Sequence, residues 1–289
     1  MAATVRYPAH AGTFYPREKE ELIKLIEWSF EHPLGPGSLP DPTSRVPERL
    51  HHGFVVPHAG YIYSGPVAAH AYYKLAHEKP PDAVVIAGPN HNGVGLPAAV
   101  FKGKAWLTPL GEVEVNMEVA RMIVSNTRYF GFDNDAHYYE HSVEVQVPFL
   151  QYIYGDELSI VPIVIEYQSL DVARDLAKAL AKIAIENGVD IVFLASSDFN
   201  HYEPHNITVE KDMKAIQAIL EMDEEKLYRV LEEYNITMCG PCPVASLIVY
   251  SKLVGSDKPV LLKHATSGDI TGEKDWVVGY ASIAFPVKR

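Results

Sequence analysis

The chain has 289 residues, of which 47% are hydrophobic and 21% charged, and its formal net charge is −12. This composition is typical of a folded globular protein and excludes an intrinsically disordered chain. The acidic balance, with no run of Lys or Arg, argues against general binding to nucleic acids or to anionic membranes.

Apolar strands and amphipathic helices alternate along the first half of the chain. A loop at residues 6–16 carries His10, which we interpret as closing a turn, with a role as a ligand as the alternative. A proline-rich and glycine-rich connection follows at 32–50. Proline is favoured in the first turn of a helix, so Pro66 marks the start of the helix after it. The predicted elements are helices at 22–30, 67–76 and 118–125 and strands at 53–56, 83–87, 98–101 and 112–115, the last one an exposed edge strand.

The second half of the chain continues the same alternation. It indicates a mostly parallel or mixed sheet covered by helices on both faces, and a chain of this length often folds as one domain. The predicted helices are 140–150, 171–187, 209–220, 223–234 and 244–253; the predicted strands are 158–164, 190–195, 260–262 and 276–285, with a loop at 266–272.

Three predicted strands each end in a loop that carries a histidine. These histidines are His58, His91 and His201, and Asp198 shares the loop of His201. Because the carboxyl ends of parallel strands meet at one edge of a sheet, we expect the three side chains to converge. A neutral imidazole is a good ligand for Fe, Cu or Zn, and a purely hydrogen-bonded histidine is the alternative.

The tetrapeptide Cys-Gly-Pro-Cys brings two thiols, Cys239 and Cys242. One thiolate together with His58 and His91 would complete a three-ligand metal site, and thiolates favour Cu(I), Zn or Fe over hard cations. The same tetrapeptide forms the redox site of thioredoxins, where a lowered thiol pKa drives disulfide exchange. A charged helix before it and Pro243 after it argue against the thioredoxin interpretation.

Two further polar groups accompany the histidine loops. On the helix predicted from residue 140, His141 and Glu144 share one face and Glu140 and Glu144 share another diagonal. They form either an ordinary polar face or a carboxylate–histidine set that supports a metal ligand. The segment Ser196-Ser197-Asp198 with His201 contains the three residue types of a hydrolase triad. A serine and an aspartate that are adjacent on one loop, however, do not give the geometry of such a triad. We interpret Asp198 as a carboxylate that orients His201, or as its acid–base partner.

The sequence also bears on where the protein acts. No apolar run approaches the roughly 20 residues that a helix needs to cross a bilayer, and the N-terminal residues 1–6 lack the apolar core of a signal peptide. Two cysteines in a chain this long do not form a disulfide framework, which fits a reducing interior. We expect a cytoplasmic protein with no membrane and no nucleic-acid partner; the oligomeric state is left open.

Six motifs along the chain occur in the order found in one known family. The chain resembles the bacterial and archaeal members of the Memo family, named for mediator of cell motility, over nearly its whole length. The resemblance implies a single Memo-like domain, residues 1–289, similar in fold to class III, LigB-type extradiol dioxygenases: a central mixed, mostly parallel sheet between two helix layers, with a metal pocket at the strand ends. The motifs are His-Ala-Gly-Thr-Phe-Tyr (10–15), Pro-His-Ala-Gly-Tyr-x-Tyr-Ser-Gly (57–65), Gly-Pro-Asn-His (88–91), Glu-His-Ser-Val-Glu (140–144), Ser-Ser-Asp-Phe-x-His (196–201) and Cys-Gly-Pro (239–241).

The resemblance also implies roles for individual residues. His58 and His91 resemble the two histidine ligands of the metal, and Cys239 resembles the third ligand, where the dioxygenases have a glutamate. His201 resembles the acid–base histidine and Asp198 a pocket carboxylate. The remaining residues are expected to line the pocket: His10, Glu140, His141, Glu144 and Cys242.

These roles predict a metal-dependent oxidoreductase, dioxygenase-like, that uses Fe(II) or Cu, with Zn as a further candidate. A thiolate in place of a carboxylate softens the site and can itself be oxidised by dioxygen, so ring cleavage does not follow from the fold. The alternative is a non-enzymatic module that handles metal or holds a small molecule or a peptide in the same pocket.

Overall fold

A computed structural model describes residues 4–288 of the chain. Residues 1–3, part of the N-terminal segment considered above, and residue 289 lie outside the described range. The strands are β1 (Val5–Arg6), β2 (His51–Val56), β3 (Ala83–Pro89), β4 (Ala98–Val100), β5 (Ala105–Thr108), β6 (Gly111–Val115), β7 (Gly131–Phe132), β8 (Ser159–Ile165), β9 (Ile191–Ser196), β10 (His201–Glu203), β11 (Val260–Thr266) and β12 (Val277–Pro286); the helices are α1 (Lys19–Glu31), α2 (Tyr61–Ala76), α3 (Met117–Asn126), α4 (Asp135–Tyr138), α5 (Val147–Tyr154), α6 (Leu170–Glu186), α7 (His205–Leu220), α8 (Glu224–Glu233), α9 (Pro241–Val254) and α10 (Ser267–Thr271).

The strands form one mixed sheet. Its order is β1-β5-β6-β8-β3-β9-β2-β12-β10, with β11 beside β12 and with β4 beside β8 and β7. The central neighbours β3, β9 and β2 run parallel to one another, whereas β12 is antiparallel to β2 and β5 is antiparallel to β6. The carboxyl ends of the three central strands therefore lie side by side, as the sequence predicts.

Helices cover both faces of the sheet. On β9, Phe193 and Ala195 pack towards the layer that contains α3, α6, α7, α8 and α9, while Val192 and Leu194 pack towards α1, α2 and α5. Successive side chains of a strand point to opposite faces, so a strand buried on both faces reads as a continuous apolar run. The predicted three-layer α/β/α architecture is confirmed. Within the described range, none of the helices combines the length and apolar character that a bilayer crossing needs.

The helix predicted from residue 140 is wrong at its start. Residues 140 and 141 have no regular secondary structure, residues 142–143 form a turn, Glu144–Gln146 form a single 3-10 turn, and α5 begins only at Val147. Pro148 lies in the first turn of α5, where the missing N–H of proline leaves no hydrogen bond unmade. His141 consequently lies on a loop and can approach the sheet edge directly.

Three smaller differences concern strand position and helix ends. The predicted edge strand, β6, lies between β5 and β8, because one covered face gives the same alternation to an internal strand. Helix α2 begins at Tyr61, so Pro66 lies inside the helix instead of in its first turn. The predicted loop at 266–272 contains α10, whose N-terminus is closed by a capping box between Thr266 and Asp269.

Candidate metal centre

The carboxyl ends of β2, β3 and β9 bring the predicted site loops together. The last residue of β2 is followed closely by His58, β3 leads to His91, and β9 leads to Asp198. The ring centroids of His58 and His91 lie 5.3 Å apart. The predicted convergence of the strand-end histidines therefore occurs for these two residues.

A third histidine completes the cluster. His58, His91 and His141 each offer one ring nitrogen, and these nitrogens all lie within 4.8 Å of one another. The rings of His91 and His141 stack with centroids 4.5 Å apart. Cys239 is not a member of this three-histidine group, yet its Sγ lies 3.2 Å from His58 Nε2. The structure thus places His141, predicted only as pocket lining, alongside the predicted ligands His58, His91 and Cys239.

One ring proton is assigned by the hydrogen bond of His91. His91 Nδ1 lies 2.9 Å from Glu140 Oε1, and because an ionised carboxylate can only accept, this nitrogen donates. His141 Nδ1 lies 3.4 Å from the same oxygen, an ionic contact without a hydrogen bond. A ring that donates from Nδ1 has Nε2 left as the atom that can bind a metal.

The same tautomer follows for His58 from a different partner. His58 Nδ1 lies 2.9 Å from Ser196 Oγ, and this hydroxyl donates its hydrogen to the carbonyl oxygen of Ser142 at 2.7 Å. Gln146 Nε2 also donates to Ser196 Oγ, at 2.9 Å. The hydroxyl therefore accepts from His58 Nδ1, and His58 Nε2 presents its lone pair beside Cys239.

Glu140 is the buried carboxylate that supports this cluster. Its oxygens accept the side-chain hydrogen bond from His91 and the backbone N–H groups of His91 at 2.6 Å and Ser142 at 2.8 Å. Burial opposes ionisation, but the hydrogen bond from His91, the nearness of His91 and His141, and the Ser142 N–H outweigh it and lower the pKa of Glu140 to about 2. The carboxylate is ionised at neutral pH.

Burial favours the neutral forms of His58, His141 and Cys239. Burial, followed by the charge of His91, lowers the pKa of His58 well below its usual range. Burial and His58 lower the pKa of His141 to about 3. Burial, with the charge of Asp198, raises the pKa of the Cys239 thiol, so the protein alone holds it as S–H. The imidazoles of His58 and His141 and the Cys239 thiol therefore add no charge beside the ionised Glu140.

Asp198 links the His58 loop to the Cys239 loop. Its Oδ1 accepts the backbone N–H of His58 at 2.8 Å, and its own backbone N–H donates to Cys239 Sγ at 3.2 Å. Burial raises the pKa of the Asp198 carboxyl against the opposing hydrogen bond from His58. Within residues 4–288, no hydrogen bond joins Asp198 to His201, so the predicted orientation of His201 by this carboxylate is not found.

His201 is oriented by Thr237 instead. Its backbone N–H donates to Thr237 Oγ1, and its Nδ1 lies 2.8 Å from the Thr237 carbonyl oxygen. A carbonyl only accepts, so Nδ1 carries the proton and Nε2 is free to exchange one. Thr237 is held in turn by Asn200 Oδ1, which accepts its backbone N–H at 3.1 Å.

Arg6 braces the loop between α4 and α5. This fully buried guanidinium donates to the carbonyl oxygens of His137 at 2.8 Å and Glu140 at 3.0 Å, and it pairs with Glu144 Oε2 at 2.6 Å. It also lies over the Trp106 ring, 4.2 Å from the centroid. Arg6 fixes the position of the loop without contacting the histidine cluster.

Glu144 and His10 lie on the outer side of that loop. Glu144 accepts the backbone N–H groups of Ala9 and His10 at 3.0 and 2.9 Å and the Tyr15 hydroxyl at 2.5 Å. The His10 ring stands edge-on to His141, with centroids 5.5 Å apart, and its Nε2 donates to the Tyr139 carbonyl oxygen. The His10 carbonyl closes a turn, in agreement with the structural interpretation of this residue.

Two glycines of the motifs allow the loops to approach one another. A Cβ atom on Gly88 would lie 2.4 Å from Ser142 Oγ, and one on Gly240 would lie 2.6 Å from the Ser196 carbonyl oxygen. Both distances are far below van der Waals contact, so a side chain at either position would push the His91 or the Cys239 loop away. Cys242 lies in the first turn of α9, where burial raises its pKa to about 12.

Sequence reasoning missed four residues that build this site. Ser196, Gln146, Thr237 and Arg6 orient or brace the predicted residues but were assigned no role. A signal was present for Ser196 alone, because it stands in the Ser-Ser-Asp motif at the end of a predicted strand. The other three act on partners that are distant in sequence.

The fold and the cluster define a class: α/β/α proteins with an imidazole-rich pocket at the carboxyl edge of a mixed sheet. A family model for Memo-like proteins matches residues 6–284. The chain is 54% identical over 284 residues to a MEMO1 family protein of Ignicoccus hospitalis, and 51% identical over 282 residues to one of Sulfolobus acidocaldarius. These alignments cover 98% and 97% of this chain and 99% of each relative. The chain belongs to the Memo-like family, which confirms the predicted resemblance.

A solved structure supports the fold independently. The crystal structure of an uncharacterized protein from Escherichia coli K12 superposes with a TM-score of 0.54 and 14% identity. The match covers 82% of this chain and 99% of that one. At this identity the likeness concerns the arrangement of the sheet and helices alone.

Proposed function

We propose that this Memo-family chain binds a transition-metal ion, iron or copper, through His58, His91 and Cys239, and that it acts as an oxidoreductase. The observation that carries the proposal is the meeting of the three imidazoles of His58, His91 and His141 next to the Cys239 thiol, with His58 and His91 each held through Nδ1. His141 is a fourth candidate ligand from the same cluster.

The donor set suits these metals. Imidazole and thiolate donors select Cu, Zn or Fe over Mg and Ca, which prefer oxygen ligands. A bound cation would also compensate Glu140, whose ion-pair partners in the described part of the chain are only His91 and His141. Iron or copper, when bound, would supply one-electron chemistry that no side chain of the cluster provides.

The surrounding residues can bind a ligand and move a proton. His91 is the accessible histidine, with a side chain 34% exposed, so a ligand can reach the cluster from solvent. His201, held through Nδ1 by Thr237, presents Nε2 as a proton acceptor. Asp198 keeps the His58 and Cys239 loops at a fixed separation through its two hydrogen bonds.

Metal content tests the proposal directly. The full chain is purified without oxygen, and iron, copper and zinc per chain are measured for the wild type and for His58→Ala, His141→Ala and Cys239→Ala. We expect loss of most of the metal in His58→Ala and Cys239→Ala, because a ligand atom is removed. His77→Ala, whose Nδ1 faces the Tyr73 carbonyl oxygen away from the cluster, is the control and should keep it. Equal metal content in all variants would remove the proposed ligands.

Turnover separates the enzyme from the alternative, a module that handles metal or holds a small molecule or peptide. Metal-loaded protein is supplied with catechols or thiols in air, and oxygen uptake is recorded. Loss of a positioned acid–base group costs about 10²- to 10⁴-fold in rate, so His201→Ala should lower uptake by that amount with its metal retained. Tight metal binding without any uptake would favour the non-enzymatic alternative, which the accessible His91 also suits.

A further inference from the structure

A buried aspartate and a histidine form a pair outside the three-histidine cluster. On α7, Asp212 is fully buried, and its Oδ2 lies 2.8 Å from Nε2 of His264 on β11. The His264 side chain is 12% exposed, so it stands between Asp212 and the surface. A buried carboxyl group is costly unless hydrogen bonds satisfy its oxygens. The partner of the second oxygen therefore shows what else this pair holds.

The second oxygen of Asp212 holds the residue before His201. Asp212 Oδ1 accepts the backbone N–H of Asn200 at 2.9 Å. Strand β12 fixes the same residue, because Gly279 donates its N–H to the Asn200 carbonyl oxygen at 2.9 Å. A Cβ atom on Gly279 would lie 1.8 Å from Asp212 Oδ2, so only glycine lets β12 and the carboxyl group approach so closely. The backbone N–H and C=O of Asn200 are thus both fixed.

The side chain of Asn200 transmits this constraint to Thr237. Its Nδ2 donates to Glu203 Oε2 at 2.6 Å, which leaves Oδ1 as the acceptor. This Oδ1 receives the backbone N–H of Thr237 at 3.1 Å and the Thr237 hydroxyl at 3.2 Å. The hydroxyl oxygen in turn accepts the backbone N–H of His201, and the Thr237 carbonyl oxygen faces His201 Nδ1. Donors and acceptors therefore match at every step from Asp212 to His201.

The path of these hydrogen bonds distinguishes the pair from one that only joins two elements. A pair that served solely to attach α7 to β11 would need no bond to the loop after β9. Asp212 instead uses one oxygen on that loop, and the next residue, His201, is the proposed acid–base group. A polar network in which each member is satisfied rigidifies the residues that it joins.

We propose that Asp212, held by His264, is a positioning residue for His201. It fixes Asn200 and, through it, Thr237, and this keeps the ring proton of His201 on Nδ1 and leaves Nε2 free. The inference rests on the proposed function in one respect, namely that His201 exchanges a proton there; the orientation of the ring itself needs no metal.

The ring tautomer of His201 tests the proposal without metal or turnover. Histidines are labelled with 15N in the metal-free full chain, and long-range NMR correlations at about pH 8.5, where a histidine ring is neutral, show which nitrogen carries the proton. The His201 signal, one of 13, is assigned by its loss in His201→Gln. We expect Nδ1–H alone in the wild type and the appearance of Nε2–H in Asp212→Ala. Asp212→Asn keeps an oxygen for the Asn200 N–H and should restore the wild-type signal.

The last link of the series provides a second variant. Thr237 is exposed, so Thr237→Val is the test if Asp212→Ala does not fold. Valine has the shape of threonine without its hydroxyl, so the backbone N–H of His201 and Oδ1 of Asn200 each lose a partner. We expect Nε2–H to appear here as well. Nε2–H in the wild type, or Nδ1–H alone in the folded variants, would overturn the proposal.

Thermal stability provides the control for a merely structural role. Asn116→Ala removes the side chain that caps α3, a helix that packs against α6 and β8, and it should lower Tm without changing the tautomer. Asp212→Ala should lower Tm and change the tautomer together. A lower Tm with the His201 proton still on Nδ1 would show that Asp212 only stabilises the fold.

Oxygen uptake separates this inference from the proposed function. A misplaced reacting group costs up to about 10²-fold in rate, so Asp212→Ala should lose that much of kcat with its metal content unchanged. Uptake that depends on His201 but a tautomer that does not depend on Asp212 would leave the proposed function standing and overturn this inference. A tautomer that depends on Asp212, in a chain whose wild type shows no uptake, would support the positioning role and contradict the proposed enzyme.

Discussion

Two buried glutamates occupy opposite edges of the same sheet. Glu140 lies at the carboxyl edge, next to the site loops, and Glu78 lies at the amino edge, where β2 begins; both are fully buried. Each one contacts the Nδ1 of a histidine at 2.9 Å: His91 for Glu140 and His51 for Glu78. The two carboxylate–histidine pairs are locally alike, so their surroundings must account for any difference in role.

The surroundings differ in permanent positive charge. Glu78 pairs with Arg49 Nη1 at 2.9 Å, and the nearby Asp190 pairs with Arg49 and Lys79. In the described part of the chain, the ion pairs of Glu140 are with His91 and His141 alone, and His141 is neutral at neutral pH because its pKa is about 3. Permanent cations therefore stand beside the buried carboxylate at the amino edge, whereas histidines stand beside the one at the carboxyl edge, which agrees with the proposal of a cation bound there.

The largest expected effect comes from the amino edge. Glu78→Gln removes one of the two charged partners of Arg49, since Asp190 remains, and it weakens a buried ion pair, a change that costs up to about 3 kcal/mol. The free energy of unfolding, measured in urea, should fall by that amount, while metal content should not change. Glu157→Gln removes an exposed partner of Arg45 and should cost under about 1 kcal/mol. A loss of metal in Glu78→Gln would contradict the separation of the two edges.

The strand-end part of this comparison is predictable from sequence. Apolar runs buried on both faces identify β2, β3 and β9, and parallel strands end at a common edge, so the approach of His58 to His91 follows from local patterns. The Cys-Gly-Pro motif identifies Cys239 as a residue of interest, although the fold alone decides that it lies beside His58.

The remaining parts depend on contacts that no local pattern contains. The spacing of His141 and Glu144 fits a helix. In the folded chain this segment is instead a loop and a 3-10 turn, in which Ser142 packs closely against Gly88. Arg6 comes from a two-residue strand and reaches a carbonyl oxygen 131 residues away. Thr237 orients His201 across 36 residues. Such pairs become visible only once the chain is folded.

The next largest effect concerns metal affinity at the carboxyl edge. Glu140→Gln removes the charge that accepts the Nδ1 hydrogen of His91, and loss of such a supporting carboxylate weakens metal binding about 10- to 100-fold. A competition titration of Zn or Cu against a chromophoric chelator measures the change. Glu78→Gln is the matched control and should bind metal as the wild type does. Unchanged affinity in Glu140→Gln would show that the charge of this carboxylate does not support the cluster.

Counted per histidine and per pH unit, the smallest expected effect is the response of the metal-free protein to acid. Burial lowers the pKa of His137 and of His141 to about 3, below the 6.5 of a free histidine. Between pH 6.5 and 3 the unfolded chain therefore binds more protons, so stability is full above pH 6.5 and decreases as the pH falls, by about 1.4 kcal/mol per pH unit for each histidine.

Hydrogen exchange can locate that loss on one edge of the sheet. His91 and Ser142 donate their backbone N–H groups to Glu140, and Leu50 donates its own to Glu78. The three buried histidines with the most strongly lowered pKa, His58, His137 and His141, lie in or next to the Glu140 loop. Protection of the first two amides should therefore fall more steeply between pH 6.5 and 4.5 than protection of Leu50. Rates are compared after correction for intrinsic exchange. An equal fall at both edges would mean that acid acts on the whole sheet, and the contrast in permanent charge would then not govern local stability.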